Sequence, residues 1–144
     1  MSLVAATIER LKALRDDQDK PVYLDVFGAI ELAGIIDQGN PQRDRTAYVV
    51  LNSELPGEAT VGTGPTVQNM VLDVVVVTAL KATNSALGTN TALDDIRKAL
   101  RNALFDWTPD SDKHEPYTLG GGKLLTFRNG WIYWADSFRS DTWE

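Results

Sequence analysis

His114, the only histidine, lies in the run from Asp106 to Glu115, where Asp106, Asp110, Asp112 and Glu115 offer the oxygen donors a hard cation takes. Spaced as a calcium loop, this run puts Glu115 where glycine is needed and Gly121 where the final glutamate belongs, so a solvated acidic turn is expected. A catalytic triad or a histidine-based zinc site would rest on His114 alone. Gly120-Gly121-Gly122-Lys123 suggests a phosphate loop, but Tyr117 and Leu124 stand where that motif needs Gly and Ser or Thr, and a strand follows instead of a helix. A flexible turn is the expectation there. Gly62-Thr63-Gly64 fails as a dinucleotide fingerprint because Val67 occupies the third glycine position. The pair Asp94-Asp95 is explained by a helix N-terminus, where the dipole favours acids. With no cysteine in the chain, disulfides, thiolate metal sites and cysteine nucleophiles are excluded. No nucleophile, base and oxyanion donor meet at recognisable spacing, so no enzyme, no cofactor and no metal site is expected.

Such a chain needs some other reason to exist, and its composition narrows the partners. It has 144 residues, one domain by length, spanning 1–144. Fourteen Lys and Arg against twenty Asp and Glu give a net charge of -6. That balance repels nucleic-acid phosphates and anionic lipid on average, so protein partners are favoured. The N-terminus lacks a basic leader before an apolar stretch and does not read as a signal peptide. The most apolar run, Met70 to Leu80, is interrupted by Asp73 and falls far short of the roughly 20 residues that span a bilayer. No membrane role is expected.

The elements follow from periodicity. Val4, Ile8, Leu11 and Leu14 recur at helical spacing and predict an amphipathic first helix over Leu3 to Arg15, ended before Pro21. Val22 to Val26 reads as a short strand or an extended lead-in, and Phe27 to Ile36 as a short helix or helical turn before Gly39-Asn40-Pro41. Thr46 to Asn52 is a β-branched and aromatic strand. Ser53 to Thr66, rich in Gly and Pro, reads as a long, projecting and mobile loop. Gln68 to Lys81 alternates Met70, Leu72, Val74, Val76, Thr78 and Leu80 with Val71, Asp73, Val75, Val77 and Ala79. Both faces are largely apolar, so this strand needs cover on each side. Asn84 to Asn90 reads as a polar loop, with the main helix starting at Thr91-Ala92-Leu93-Asp94 and burying Leu93, Ile96, Leu100 and Leu104. Asn129-Gly130 suits a type I′ hairpin turn pairing Phe127 with Ile132, Leu125 with Trp134 and Lys123 with Asp136, and on the other face Arg128 with Trp131 and Thr126 with Tyr133. The predicted fold is α+β, a single domain whose antiparallel or mixed β-sheet, with a C-terminal β-hairpin, packs against two main helices.

The run from Leu93 to Asp110, the Gly-flanked Lys123-Leu124-Leu125-Thr126-Phe127 and the segment Gly130-Trp131-Ile132-Tyr133-Trp134 through Phe138 resemble the tail terminator (tail completion) proteins of long-tailed bacteriophages. The likeness extends over roughly Leu3 to Phe138. It implies a structural virion protein, assembled in the bacterial host cytoplasm, whose homo-oligomeric, hexameric ring closes the tail tube. The implied partners are further copies of itself, the tail tube protein and a head-completion or neck protein, with DNA passing through the ring without specific binding. No catalytic residue comes with the family. Expected interaction residues are Leu55, Glu58 and Val61 on the loop, Val71, Asp73 and Val75 on the second face of the central strand, and Trp131 and Tyr133 on the hairpin. A related neck or tube-associated protein, or a monomeric module binding through Ser53 to Thr66, are the alternatives.

Overall fold

In the computed structural model, which describes residues 2–37, 39–60, 62, 64, 66–83, 85–109 and 114–143, the elements run α1 (Leu3–Lys12), β1 (Asp25–Phe27), α2 (Ala29–Asp37), β2 (Thr46–Thr60), β3 (Val67–Lys81), α3 (Ala86–Leu104), β4 (Thr118–Arg128) and β5 (Trp131–Trp143). The strands form one mixed sheet in the order β1-β2-β3-β5-β4. Only β1 and β2 pair in parallel, joined through α2 as a parallel connection requires. The rest is antiparallel.

α1 is capped by the Ser2 hydroxyl, which accepts from the Ala5 N–H at 3.1 Å. α2 opens on a Glu31 carboxylate that accepts from the Gly28 N–H at 3.1 Å, the return half of a capping box. Its other end is tied down by Arg128 of the hairpin, whose guanidinium donates to the carbonyls of Ile35, Ile36 and Gly39. A cation on those last carbonyls also opposes the negative end of the helix dipole.

α1 and α3 pack on one face of the sheet and α2 on the other. The first face carries the larger core, in which Ala47, Val49, Leu72, Val74, Val76, Leu80 and Phe138 meet Leu3, Leu11, Leu93, Ile96, Leu100, Leu104 and Tyr117. The second face holds Tyr48, Val77, Ala79, Trp131, Tyr133 and Ala135, with Phe27, Leu32 and Ile35 packed against them. The two-faced apolar pattern of β3 is thus answered within the subunit along its C-terminal half.

Several expectations need correction. The first helix stops at Lys12, short of Arg15, and the early strand is Asp25–Phe27, shifted from Val22 to Val26. Most of the expected loop is strand: β2 runs on to Thr60, pairing Ser53 with Asp73, Glu54 with Leu72, Leu55 with Val71 and Ala59 with Gln68. Pro56 and the bulges beside Asn52 and Gly57 are tolerated because β2 is an edge strand of the subunit there, where no described strand pairs with its outer side. The main helix starts at Ala86, not Thr91: the Ser85 hydroxyl accepts from the Gly88 N–H at 3.0 Å, and Thr89 bonds back to Thr83 within the turn. The hairpin turn at Asn129 and Gly130 has φ of 54 and 79, the positive pair of a type I′ turn. Phe127, Arg128 and Thr126 pair as expected, but a bulge at Leu125 then shifts the register, so Trp134 faces Leu124 and Asp136 faces Gly122.

Gly120 to Gly122, expected as a flexible turn, is the start of β4. Asp136, only 3% exposed, holds Arg97 of α3 at 3.0 Å directly over this strand, with the guanidinium 4.3 Å from the centre of the Trp134 ring. A Cβ at Gly122 would lie 2.5 Å from the Asp136 Oδ1 and 2.9 Å from the Arg97 Nη2. Gly122→Ala is therefore expected to destabilise by about 1–3 kcal/mol, as overpacking does. A urea midpoint unchanged from the parent would refute this.

Two buried tyrosines tie α1 and the β1 approach to the core. The Tyr117 and Thr7 hydroxyls are 2.7 Å apart, and those of Tyr23 and Thr78 2.9 Å apart. Burial pushes the Tyr117 phenol up to about 12 and raises Tyr23 well above its ordinary value of 10.0. In the unfolded chain both ionise near the ordinary value, so the stability they contribute is present in full below pH 10 and is lost as pH rises towards the folded values. The unfolding midpoint should fall steeply above about pH 10, and less steeply in Tyr117→Phe.

Candidate interaction surface

Beyond α2 the second face of the sheet lies open, and strand alternation decides which side chains reach it. Across β2, β3 and β5 the ladders align Val50, Val75 and Ser137, then Ser53, Asp73 and Arg139, then Leu55, Val71 and Asp141. Four of the expected interaction residues, Leu55, Val71, Asp73 and Val75, therefore come together on one surface. Leu55 is 60% exposed, while Val71, Asp73 and Val75 are half-buried by their neighbours.

The polar groups of this surface are incompletely matched. Asp73 accepts from the Asn52 side-chain amide at 3.1 Å through Oδ2, while its Oδ1 and the Asn69 Oδ1 are shielded from solvent without a hydrogen-bond partner. Arg139 is exposed and, among the described residues, in no ion pair. Shielded acceptors and an uncommitted guanidinium beside two valines and a leucine form a mixed surface of the kind that meets protein.

Trp131 and Tyr133 are placed elsewhere. Both are buried in the core under α2, with Arg128 5.8 Å from the centre of the Tyr133 ring, because their alternation on β5 points them at the covered half of the second face. They hold the subunit together and offer no surface. Glu58 lies in β2, but its side chain and Val61 are outside the described residues.

Nothing among the described residues assembles into a catalytic or metal centre. No cluster of three or more His, Asp or Glu side chains that could hold a metal is present there, and Asp110 and Asp112 lie outside the described residues. His114 forms an isolated bridge with Thr142 of β5, so it serves to seat the chain returning from α3. A groove between α1 and α3 is lined by Arg10, Arg15, Arg45 and Lys98, largely offset by Asp16, Asp17 and Asp95. Asp16 is held below the usual carboxylate range by the Lys20 N–H and then the Gln18 N–H, which makes it the anchor of a local turn. No described helix is long and apolar enough to cross a membrane.

Sequence reasoning missed the Arg97–Asp136–Trp134 cluster, because Arg97 lies 39 residues from Asp136 and no local spacing links them. It also missed the length of β2, which turns the expected loop into an arm continuous with the sheet.

A virion structure, "Virion of native gene transfer agent (GTA) particle", contains a chain of the same fold, with a TM-score of 0.63 at 19% identity, covering 99% of this chain and 96% of that one. No curated protein matches. The family described as Phage tail terminator protein matches residues 4–143 and is a structural family, not an enzymatic one. With that match spanning almost its whole length, the chain belongs to the phage tail terminator family.

Proposed function

We propose that copies of this subunit close into a ring, hexameric as in the family resemblance, that caps the tail tube and presents a joining surface to a head-completion or neck protein. The observation that carries this reading is the family match along residues 4–143. The open half of the sheet, with Leu55, Val71, Asp73 and Val75, supplies a surface for the tube or neck protein, and its unmatched acceptors would be satisfied by a partner's donors. A net charge of -6 on each copy suits a passage that DNA crosses without adhering. Assembly takes place in the host cytoplasm, and the finished ring resides in the tail.

Light scattering on the purified chain over a range of concentrations, followed by electron microscopy of the largest species, tests the ring. A mass of one subunit at every concentration, with and without tail tubes, would favour the monomeric binding module instead.

A further inference from the structure

The strand order leaves the sheet with two unprotected edges. On one side β4 has no outer partner among the described residues, and Leu119, Leu124, Leu125 and Phe127 on it are all exposed, Phe127 at 61%. It contains no proline, and its only blunting devices are Lys123, Arg128 and the register shifts at Leu119/Gly121 and Leu124/Thr126, which leave its edge partly open to pairing. On the other side β1 shields only Thr46 to Tyr48, and the outer side of β2 over residues 49–60 meets no described strand. That free stretch is about as long as the 11-residue β4, but Pro56 and the register shifts beside Asn52 and Gly57 interrupt it, so an added strand finds its ladder on the residues between and beyond them.

The two edges suit one another. Ladder partners put Leu119, Leu124 and Phe127 on the same face as Phe138, Trp134 and Ile132, the face that α3 covers in part. Leu51 and Glu54 share that face through Val74 and Leu72. Beside Leu119, a groove between α3 and β4 is lined by Arg97, Lys98, Arg101 and Phe105, with Asp94 as its one carboxylate. Among the described residues, neither Lys98 nor Arg101 has an ion-pair partner in its own chain. β4 also runs antiparallel to β2, since three antiparallel steps separate them. A rotation about an axis along the strands preserves strand direction, so it brings β4 of one copy antiparallel to β2 of the next.

Resting on the ring reading above, we propose that the ring closes by strand addition between copies: β4 of each subunit pairs antiparallel with residues 49–60 of β2 in its neighbour. Leu51 of that neighbour extends the apolar row of Leu119, Leu124 and Phe127, and its Glu54 faces Lys98 and Arg101. The contact is head-to-tail, so it uses β4 and the free stretch of β2 in every subunit and leaves only the short outer side of β1 unpaired once the ring is complete.

The chain contains no cysteine, which makes disulfide trapping clean. Leu124→Cys is combined in turn with Leu51→Cys, Glu54→Cys and Pro56→Cys in the full-length protein, each variant checked by circular dichroism, then mildly oxidised and run under denaturing, non-reducing conditions. At least one combination should give a ladder of covalently joined copies, while Leu124→Cys with Ile30→Cys, on the opposite face of the subunit at α2, should give none. Rings that persist by mass and microscopy without a ladder in any of the three combinations would overturn the strand pairing and leave the ring standing. An equal ladder from the Ile30 pair would overturn it as well. A protein that stays monomeric by mass would refute the ring and the pairing together.

Discussion

Phe138→Ala is expected to lower the free energy of unfolding by about 3–5 kcal/mol, the cost of emptying an aromatic site in a close-packed core. Phe138 is fully buried at the centre of the face that α1 and α3 cover, with the Tyr117 ring 5.9 Å away and Val74 beside it on β3. Tyr117 in turn rests against Trp107 and bonds to Thr7 of α1, so the cavity would open where α1, the chain after α3 and the sheet converge. A domain of this size has only about 5–15 kcal/mol of stability in all. The loss should appear as a large fall in the urea midpoint with little change in slope, and a fall below about 1 kcal/mol would mean that Phe138 is not at the core's centre.

Asp136→Ala should be nearly as damaging, at about 3 kcal/mol, because it leaves the Arg97 guanidinium over the sheet without its counter-charge. Arg97 is 21% exposed and keeps its place over the Trp134 ring, which holds the loss to the lower end for a broken pair. The double variant Arg97→Leu/Asp136→Leu should regain much of that loss, since replacing both members with apolar groups removes the stranded charge. Equal destabilisation in the single and double variants would show that Asp136 acts through something other than Arg97.

These two sites differ in how visible they were beforehand. The core face of β3 and the stripe on α3 are periodic, and periodicity survives folding because burial is what selects it. The second half of β2 is not periodic: Ser53 to Thr60 carries Pro56 and Gly57, and it is a strand because β3 offers a ladder for it to join. Gly120 to Gly122 reads as flexible when only the chain neighbours are known. It belongs to β4 because an arginine from α3 and an aspartate from β5 meet above Gly122, Ser137 lies against Gly120, and Gly121 turns the chain at a φ of 105 that favours glycine. The start of α3 was displaced for a smaller reason: Ser85 and Thr91 are both competent caps, and the Thr83–Thr89 hydrogen bond favours the earlier one. Among the expected interaction residues, those on alternating strands landed on one surface, whereas Trp131 and Tyr133 depended on where α2 would lie, which no local pattern encodes.

The central claim, that this subunit caps the tail tube, is tested most directly by electron microscopy of tails assembled with and without it. The account predicts ring-shaped density confined to the head-proximal end of the tube when the subunit is present, and tails that fail to join heads when it is absent. Subunit density distributed along the tube, or normal head joining in its absence, would contradict it.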